Sequence, residues 1–227
     1  NRVAFLDFAV PFNQQLTLFS ARGGVIQELR GVDGVLTPKN AIIVDRAAYT
    51  NSPYVGPLSV GRSIFFLQDR DTATGVYEYQ SDTEQVRCDE ITAHVPSYVP
   101  GRIKLFAASD NEQMLALVPE ADQSALYVYR FHYAGPDKVM SSWSKWRLSE
   151  ATNVLGLQFI GNKLYLLCYR ADPKVFLQVI DMRKLTDSDM AFRLHLDSLY
   201  EATGSYNTYT DITTWTLPFK VDSDESW

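Results

Sequence analysis

The sequence is poor in the residues that build disulfide scaffolds and metal sites. It has only two cysteines and three histidines in 227 residues, too few for a disulfide framework. Cys88 and Cys168 lie far apart in strand-like runs, which predicts buried thiols and favours assembly in a reducing cytoplasm. No two histidines have the spacing of metal ligands. Each is therefore predicted to be a surface residue: His94, His132 and His195.

Long apolar runs and clustered basic charge are also missing. No stretch approaches the roughly 18 apolar residues of a membrane-spanning helix, so we expect no membrane insertion by this segment. The net charge is −6, and residues 181–227 carry nine acidic against four basic residues. Tight binding to a phosphate backbone requires clustered Lys and Arg, so the sequence argues against it and predicts that any contact with nucleic acid is loose or repulsive. The scattered basic residues are predicted to be paired at interfaces or solvated: Arg62, Arg70, Arg102, Lys104, Arg130, Lys145 and Arg147.

The motifs of common enzymes are absent as well. There is no Gly-x-Ser-x-Gly segment and no glycine-rich phosphate loop. Acidic residues do cluster along the chain, but a glycosidase needs two acids about 5 to 9.5 Å apart in space, which sequence neighbours seldom supply. We predict turn positions for them, and hence no enzyme: no catalytic, cofactor-binding or metal-binding residue and no cofactor. The acidic clusters are Asp69 with Asp71, Asp82 with Glu84, Asp89 with Glu90, Asp187 with Asp189, and Asp222 with Asp224 and Glu225.

A pattern of two apolar segments occurs four times along the chain. A continuous apolar segment is followed by one in which aromatic or aliphatic residues alternate with polar ones. The pairs are residues 16–19 and 25–29, 64–67 and 76–79, 114–117 and 126–131, and 164–167 and 176–179. Corresponding positions lie 50 residues apart: Ile26, Val76, Leu126 and Phe176. A fixed period of this length indicates a repeat architecture.

Each repeat is predicted to be an antiparallel sheet. In the later copies another apolar run comes first and ends in a turn with Gly or Asn, at residues 61–62, 110–111 and 161–162, which suits positive φ in a tight hairpin. A loop of six to nine residues is expected between the two main strands. Three or four strands per 50 residues is typical of a propeller blade. The fold class is therefore all-β with propeller-like repeats of antiparallel blades, and a β-sandwich with coincidental spacing is the alternative.

Two regions are expected. Residues 1–182 hold about four blades, as part of a larger propeller, in which aromatic faces such as Tyr77 with Tyr79 pack blade against blade. Residues 183–227 are a linker and the start of a second, acidic β-rich domain, with an alternating run at 191–196 and a further strand at 213–219. The chain begins at Asn1 without an initiator Met or a leader, from which an internal portion of a longer protein is expected.

Trp143 and Trp146 are the aromatic pair closest to a carbohydrate-binding pattern. On a strand, a spacing of three places them on opposite faces. One is then predicted to be core and the other a packing or interface residue, and a glycan-stacking platform is the alternative.

Several segments, in their order along the chain, resemble the tail nozzle proteins of short-tailed bacteriophages (podoviruses), the tail tubular protein B family. They include Phe-Asn-Gln-Gln-Leu-Thr-Leu-Phe-Ser at 12–20, Leu-Thr-Pro at 36–38 and Val-Gly-Arg-Ser-Ile-Phe-Phe at 60–66. Three further segments belong to the set. They are the tryptophan pair, residues 175–182 leading to Leu-Asp-Ser at 196–198, and residues 213–219 with their Leu-Pro-Phe ending. The resemblance covers most of the chain, and family members are several times longer.

The resemblance implies a structural subunit of the virion tail, assembled in the host bacterial cytoplasm. Six copies would form a ring below the tail adaptor, a tail tubular protein A-like protein, contact the tail fibres, and enclose the channel through which double-stranded DNA is ejected. An excess of acidic residues is compatible with a channel that repels DNA from its wall. The same excess is also common in proteins for solubility alone. The alternatives are a propeller that binds or hydrolyses host surface polysaccharide, with paired acids converging in one cleft, and a cellular scaffold whose propeller closes within one chain.

Overall fold

The computed structural model describes residues 5–31, 35–81, 85–135, 137–148, 153–169, 174–182 and 204–214. These residues contain 17 strands and no helix, and so no helix among them has the length and apolar character to cross a membrane. Contacts between Cα atoms divide the chain into two units, Asn1–Arg183 and Lys184–Trp227.

The first unit contains four antiparallel sheets. Sheet 1 consists of β1 (Phe8–Phe12), β2 (Gln15–Phe19), β3 (Ile26–Gly31) and β4 (Ala41–Ala47). Sheet 2 consists of β5 (Leu58–Val60), β6 (Ser63–Asp69), β7 (Thr74–Ser81) and β8 (Val86–Glu90). Sheet 3 consists of β9 (Ile103–Ser109), β10 (Met114–Pro119), β11 (Ala125–Ala134) and β12 (Asp137–Arg147). Sheet 4 consists of β13 (Asn153–Ile160), β14 (Lys163–Tyr169) and β15 (Val175–Asp181).

Each sheet is a meander in which every strand pairs with its sequence neighbour. The continuous apolar segments form the second strands and the alternating segments form the third strands of all four sheets. The all-β class and the antiparallel pairing are therefore confirmed. The assignment of the sheets to propeller blades stays a prediction, as does the boundary between residues 182 and 183.

Tight turns join the first two strands of each sheet. Gly61 and Gly161 have positive φ of 55° and 59°, as predicted for two-residue hairpin loops. In sheet 1 the loop residues Asn13 and Gln14 both have positive φ. The prediction for Asn111 was wrong, because the longer turn of sheet 3 instead gives positive φ to Gln113. Asn162, a described residue next to Gly161, does not have positive φ either. The loops between the second and third strands are also shorter than predicted in sheet 2, at residues 70–73, and in sheet 3, at residues 120–124.

The four sheets stack face to face through three apolar clusters. One lies between sheets 1 and 2, another between sheets 2 and 3, and the last between sheets 3 and 4. On β6, Phe65 packs toward sheet 3 and Phe66 toward sheet 1, because side chains alternate along a strand. This explains the continuous apolar runs, since the central strands are covered on both faces. As predicted, Tyr77 and Tyr79 pack on the neighbouring sheet.

The first strands of the four sheets are neighbours. Strand β5 contacts both β1 and β9, and β9 contacts β13. The stack therefore has one edge made of first strands.

In the second unit, β16 (Ser205–Asn207) and β17 (Ile212–Thr214) form a two-stranded hairpin. Two of the segments predicted in this region, 191–196 and most of 213–219, lie outside the described residues.

Candidate assembly interfaces

A buried carboxylate lies between sheets 2 and 3. Glu78 on β7 is 4% exposed and turns toward sheet 3, where it pairs with the ammonium group of Lys138. Its Oε1 accepts hydrogen bonds from the hydroxyls of Tyr133 and Ser63, the latter at 2.7 Å. Because Lys138 and Tyr133 belong to sheet 3, this polar cluster ties the two sheets together.

The cluster keeps both of its charged groups ionised. Burial raises the pKa of Glu78, but hydrogen bonds from Lys138, Tyr133 and Ser63 outweigh it, so the pKa lies below its ordinary value. Burial alone would lower the pKa of Lys138, yet the hydrogen bond to Glu78 raises it above the ordinary value. The two directions agree, as expected for a buried ion pair whose hydrogen bonds are satisfied.

An equivalent carboxylate lies between sheets 1 and 2. Glu28 on β3, 50 positions before Glu78, is 1% exposed. It accepts hydrogen bonds from the hydroxyl groups of Tyr79 at 2.9 Å and Ser81 at 2.6 Å, both on sheet 2. Arg46 of its own sheet pairs with it at 2.6 Å. We call the groups around Glu28 and Glu78 the two polar clamps.

The interface between sheets 3 and 4 has no such clamp among the residues that the structure describes. The position corresponding to Glu78 is Val128 on β11, which pairs with Ala116 on the same face. Both are fully buried in an apolar cluster with Phe159, Leu164 and Leu166 of sheet 4. Sheets 3 and 4 thus pack together through hydrophobic contacts.

The face of sheet 4 that points away from sheet 3 is apolar and exposed. Because Leu164, Leu166 and Cys168 pack on sheet 3, the alternating residues of β14 face the other way. They pair across the sheet with alternating residues of β15. The apolar part of this outer face consists of Tyr165, Leu167, Tyr169, Val175, Leu177 and Val179, and the face ends at the ion pair of Lys163 with Asp181.

An open cavity of about 520 Å³ lies among the loops of sheets 2 and 3. It brings together Asp69, Asp71 and Glu120, while the guanidinium of Arg102 sits 4.0 Å from the ring centroid of Tyr54. Arg102 also pairs with Glu120 at 3.6 Å. Within the described part of the chain, no group of three or more His, Cys, Asp or Glu side chains could hold a metal ion.

The family model for bacteriophage nozzle proteins matches residues 1–226. The chain belongs to the bacteriophage nozzle protein family. It is similar to the tail tubular protein gp12 of Escherichia phage T7, with 28% identity over 218 residues. That match covers 94% of this chain and 27% of the T7 protein, so the chain spans about a quarter of the length of this curated relative. Among solved structures, Kluyveromyces lactis Hsv2 matches with a TM-score of 0.48 and 13% identity, over 95% of this chain and 73% of that one.

Several residue predictions for this nozzle-family chain are confirmed. His94 and His132 are exposed, and His195 lies outside the described residues. Trp143 packs against the cluster between sheets 2 and 3, and Trp146 against the one between sheets 3 and 4, so they occupy opposite faces as predicted. Both are only partly buried, so the prediction that one of them is core was wrong. The indole N–H of Trp143 donates to the carbonyl of Ile91 at 3.1 Å, so neither tryptophan is a free stacking platform.

The cysteines and basic residues also agree with expectation. Cys168 is buried and Cys88 half-buried, and the two form no disulfide. Burial, followed by the charge of Asp89, raises the pKa of the Cys88 thiol to about 12. Many of the scattered basic residues are paired: Arg70 with Glu90, Arg102 with Glu120, Arg130 with Glu112, and Lys145 with Asp122.

The turn prediction for the acidic clusters was partly wrong. Asp71 lies in a loop, but Asp69 ends β6, and both Asp89 and Glu90 lie within β8. These two carboxylates are tolerated in a strand because β8 is the edge strand of its sheet. The other acidic clusters, beginning with Asp82 and Glu84, lie outside the described residues.

Glu28 and Glu78 are the residues that sequence reasoning missed. Each is an acidic residue in the middle of an alternating apolar strand, and their spacing equals the repeat. An acidic residue at the same position of two repeats could have indicated a paired carboxylate between sheets, because Glu is rarely buried unless it is paired.

Proposed function

We propose that the chain is part of a structural, non-catalytic subunit of a bacteriophage tail nozzle. Membership of the nozzle family is the observation that carries this proposal. The similarity to a tail tubular protein supports the same role. The subunit would then reside in the virion tail after assembly in the host cytoplasm.

The four stacked meanders suit a rigid wall. Each sheet shares an apolar or clamped face with the next, and their first strands lie side by side. This supports the assignment of sheets 1 to 4 to consecutive blades of a propeller, in which four-stranded antiparallel sheets stack around an axis. We propose that the described sheets are part of a larger propeller.

The proposed mechanism is geometric. Identical subunits related by rotation would form a closed ring through one repeated heterologous contact. We propose six copies, contacts with the tail adaptor and the fibres, and non-specific passage of double-stranded DNA. Five of the six net negative charges lie in residues 181–227, so the sheets that would form the wall carry almost no net charge. Without clustered Lys and Arg, such a wall would not bind phosphates tightly.

Electron microscopy of the full-length parent protein mixed with its tail adaptor tests the proposal. Class averages should show hollow six-fold rings with lobes of the size of the stacked sheets. Monomers that do not associate with the adaptor would contradict it, and rings of another order would correct the copy number alone.

The cavity lined by Tyr54, Asp69, Asp71 and Glu120 favours a second function, binding or hydrolysis of host surface polysaccharide. Exposed aromatic and carboxylate groups in one cleft are what that function requires. The stacking of Arg102 on Tyr54 counts against it, because it occupies an aromatic face. Depolymerisation of host polysaccharide by the parent protein, lost in Glu120→Gln but kept in Glu112→Gln, would support this alternative.

A further inference from the structure

The outer face of sheet 4 is exposed, unlike the corresponding faces of the other three sheets. In each sheet one pair of residues on the second and third strands faces the following sheet or, in sheet 4, points away from sheet 3. The pairs are Thr17 with Glu28, Phe65 with Glu78, Ala116 with Val128, and Tyr165 with Val179. The spacing of 50 residues leads from Val128 to Gln178, but Gln178 pairs with Leu166, which packs on sheet 3, so Val179 takes the outward place in sheet 4. The first three pairs are buried under the following sheet. Val179 is 47% exposed, and its neighbour Leu177 is 65% exposed.

The exposed residues form a continuous apolar surface. Tyr165 pairs with Val179, Leu167 with Leu177, and Tyr169 with Val175 across the sheet. These three pairs contain no charged side chain. Contiguous apolar surfaces of this kind mark interaction sites in soluble proteins.

The chemistry of this surface indicates what covers it. A polar clamp would need an acidic residue where Val179 stands, as in sheets 1 and 2. Sheet 3 has Val128 at that place, and its partner covers it with the aliphatic and aromatic side chains of Leu164, Leu166 and Phe159. The occupant of the outer face should therefore be apolar and should lack a counterpart of Lys138.

We propose that a further antiparallel β-sheet of the same polypeptide, lying outside residues 1–227, docks on the outer face of sheet 4. All three equivalent faces are covered by a sheet of their own chain. The matched region is 27% of the T7 relative, so proteins of this family contain ample polypeptide for such a sheet. The inference rests on the chain being part of a longer nozzle protein, and it does not depend on ring formation or on six copies.

Site-specific photo-crosslinking in the full-length parent protein tests this docking. The photoreactive residue p-benzoylphenylalanine replaces Leu177 in one variant and Val175 in a second, in case the first fails to fold. The control carries it at Val139, which is 59% exposed on β12 and has no part in the stack. After illumination, digestion and mass spectrometry identify the two joined peptides.

We expect the Leu177 and Val175 variants to yield a peptide within the same polypeptide but outside residues 1–227, and the Val139 variant not to yield it. A crosslink between two copies, to another tail protein, or to residues 1–227 would overturn the proposal. So would crosslinking no greater than that of the control, because the face would then be exposed to solvent. An intramolecular crosslink in a protein that forms no rings would retain this inference while the ring model fails.

Discussion

The interfaces on the two sides of sheet 3 use equivalent positions with opposite chemistry. Toward sheet 2 the buried position is Glu78, which is ionised and paired with Lys138. Toward sheet 4 the position is Val128, surrounded by aliphatic side chains. The same backbone repeat thus accepts either a charge network or an apolar contact.

The apolar interface and the polar clamps contribute differently to how the sheets pack. Apolar burial stabilises roughly in proportion to the area removed from water and has little directional preference. A buried ion pair adds little net stability, because desolvation offsets the attraction, but an unpaired charge is strongly disfavoured. We infer that the polar clamps fix the register of sheets 1, 2 and 3, whereas the third interface relies on shape.

The largest effect is expected from removing the cation of a clamp. Lys138→Met leaves the carboxylate of Glu78 buried without its partner, which should lower the free energy of unfolding by about 4 kcal/mol. Denaturant titration followed by tryptophan fluorescence measures this change.

Two further variants distinguish the buried charge from lost packing. The double variant Glu78→Val with Lys138→Met should recover most of the loss, because it leaves no buried unpaired charge. The oxygens of Tyr133 and Ser63 still accept hydrogen bonds from Gln80, at 2.7 Å and 3.0 Å. Lys163→Met is the matched control, since its pair with Asp181 is longer, at 4.0 Å, and partly exposed, and should change stability by less than about 1 kcal/mol. Equal losses in the single and double variants would show that the charge is not the cause.

A smaller loss is expected at the apolar interface. Leu166→Ala removes a fully buried side chain between sheets 3 and 4 and should cost about 3 kcal/mol through lost burial and the cavity that remains. The same titration measures it, with the exposed Leu155→Ala as control. A loss as small as that of the control would mean that sheet 4 contributes little to the stack.

Much of this fold could be predicted because its strongest signal is local. A run such as Ile64–Phe65–Phe66–Leu67 is apolar at every position, as expected for a strand covered on both faces. The tryptophans were assigned to opposite faces from their spacing alone, because side chains alternate along a strand.

The polar clamps could not be predicted, because their formation depends on contacts between sheets. Glu78 and Lys138 are 60 positions apart, and nothing local indicates that the two meet. The end of strand β8 was missed for a related reason. Asp89 and Glu90 are residues typical of turns, and their strand conformation comes from pairing with β7.

The smallest expected difference between the two kinds of interface is in how the free energy of unfolding changes at acidic pH. The pKa of Glu78 in the folded chain is below its ordinary value of 4.5. Its ionised form therefore stabilises the fold fully above pH 4.5, and this contribution is lost as the pH falls through the folded pKa. The groups facing it are Lys138 and Tyr133, with Arg87, Asp89 and Asp137 lining the adjoining cavity.

The free energy of unfolding, measured from pH 6 down to pH 3, should decline more steeply in the wild type than in the Glu78→Val, Lys138→Met double variant. The free energy of unfolding of Leu166→Ala should instead fall with the same slope as that of the wild type, from a lower starting value. The reason is that removing this apolar side chain changes no proton binding. Other carboxylates titrate alike in all three proteins, so the comparison of slopes isolates the clamp. Parallel curves for the wild type and the double variant would mean that Glu78 has the same proton affinity in the folded and unfolded chains, and that the clamp is not coupled to folding.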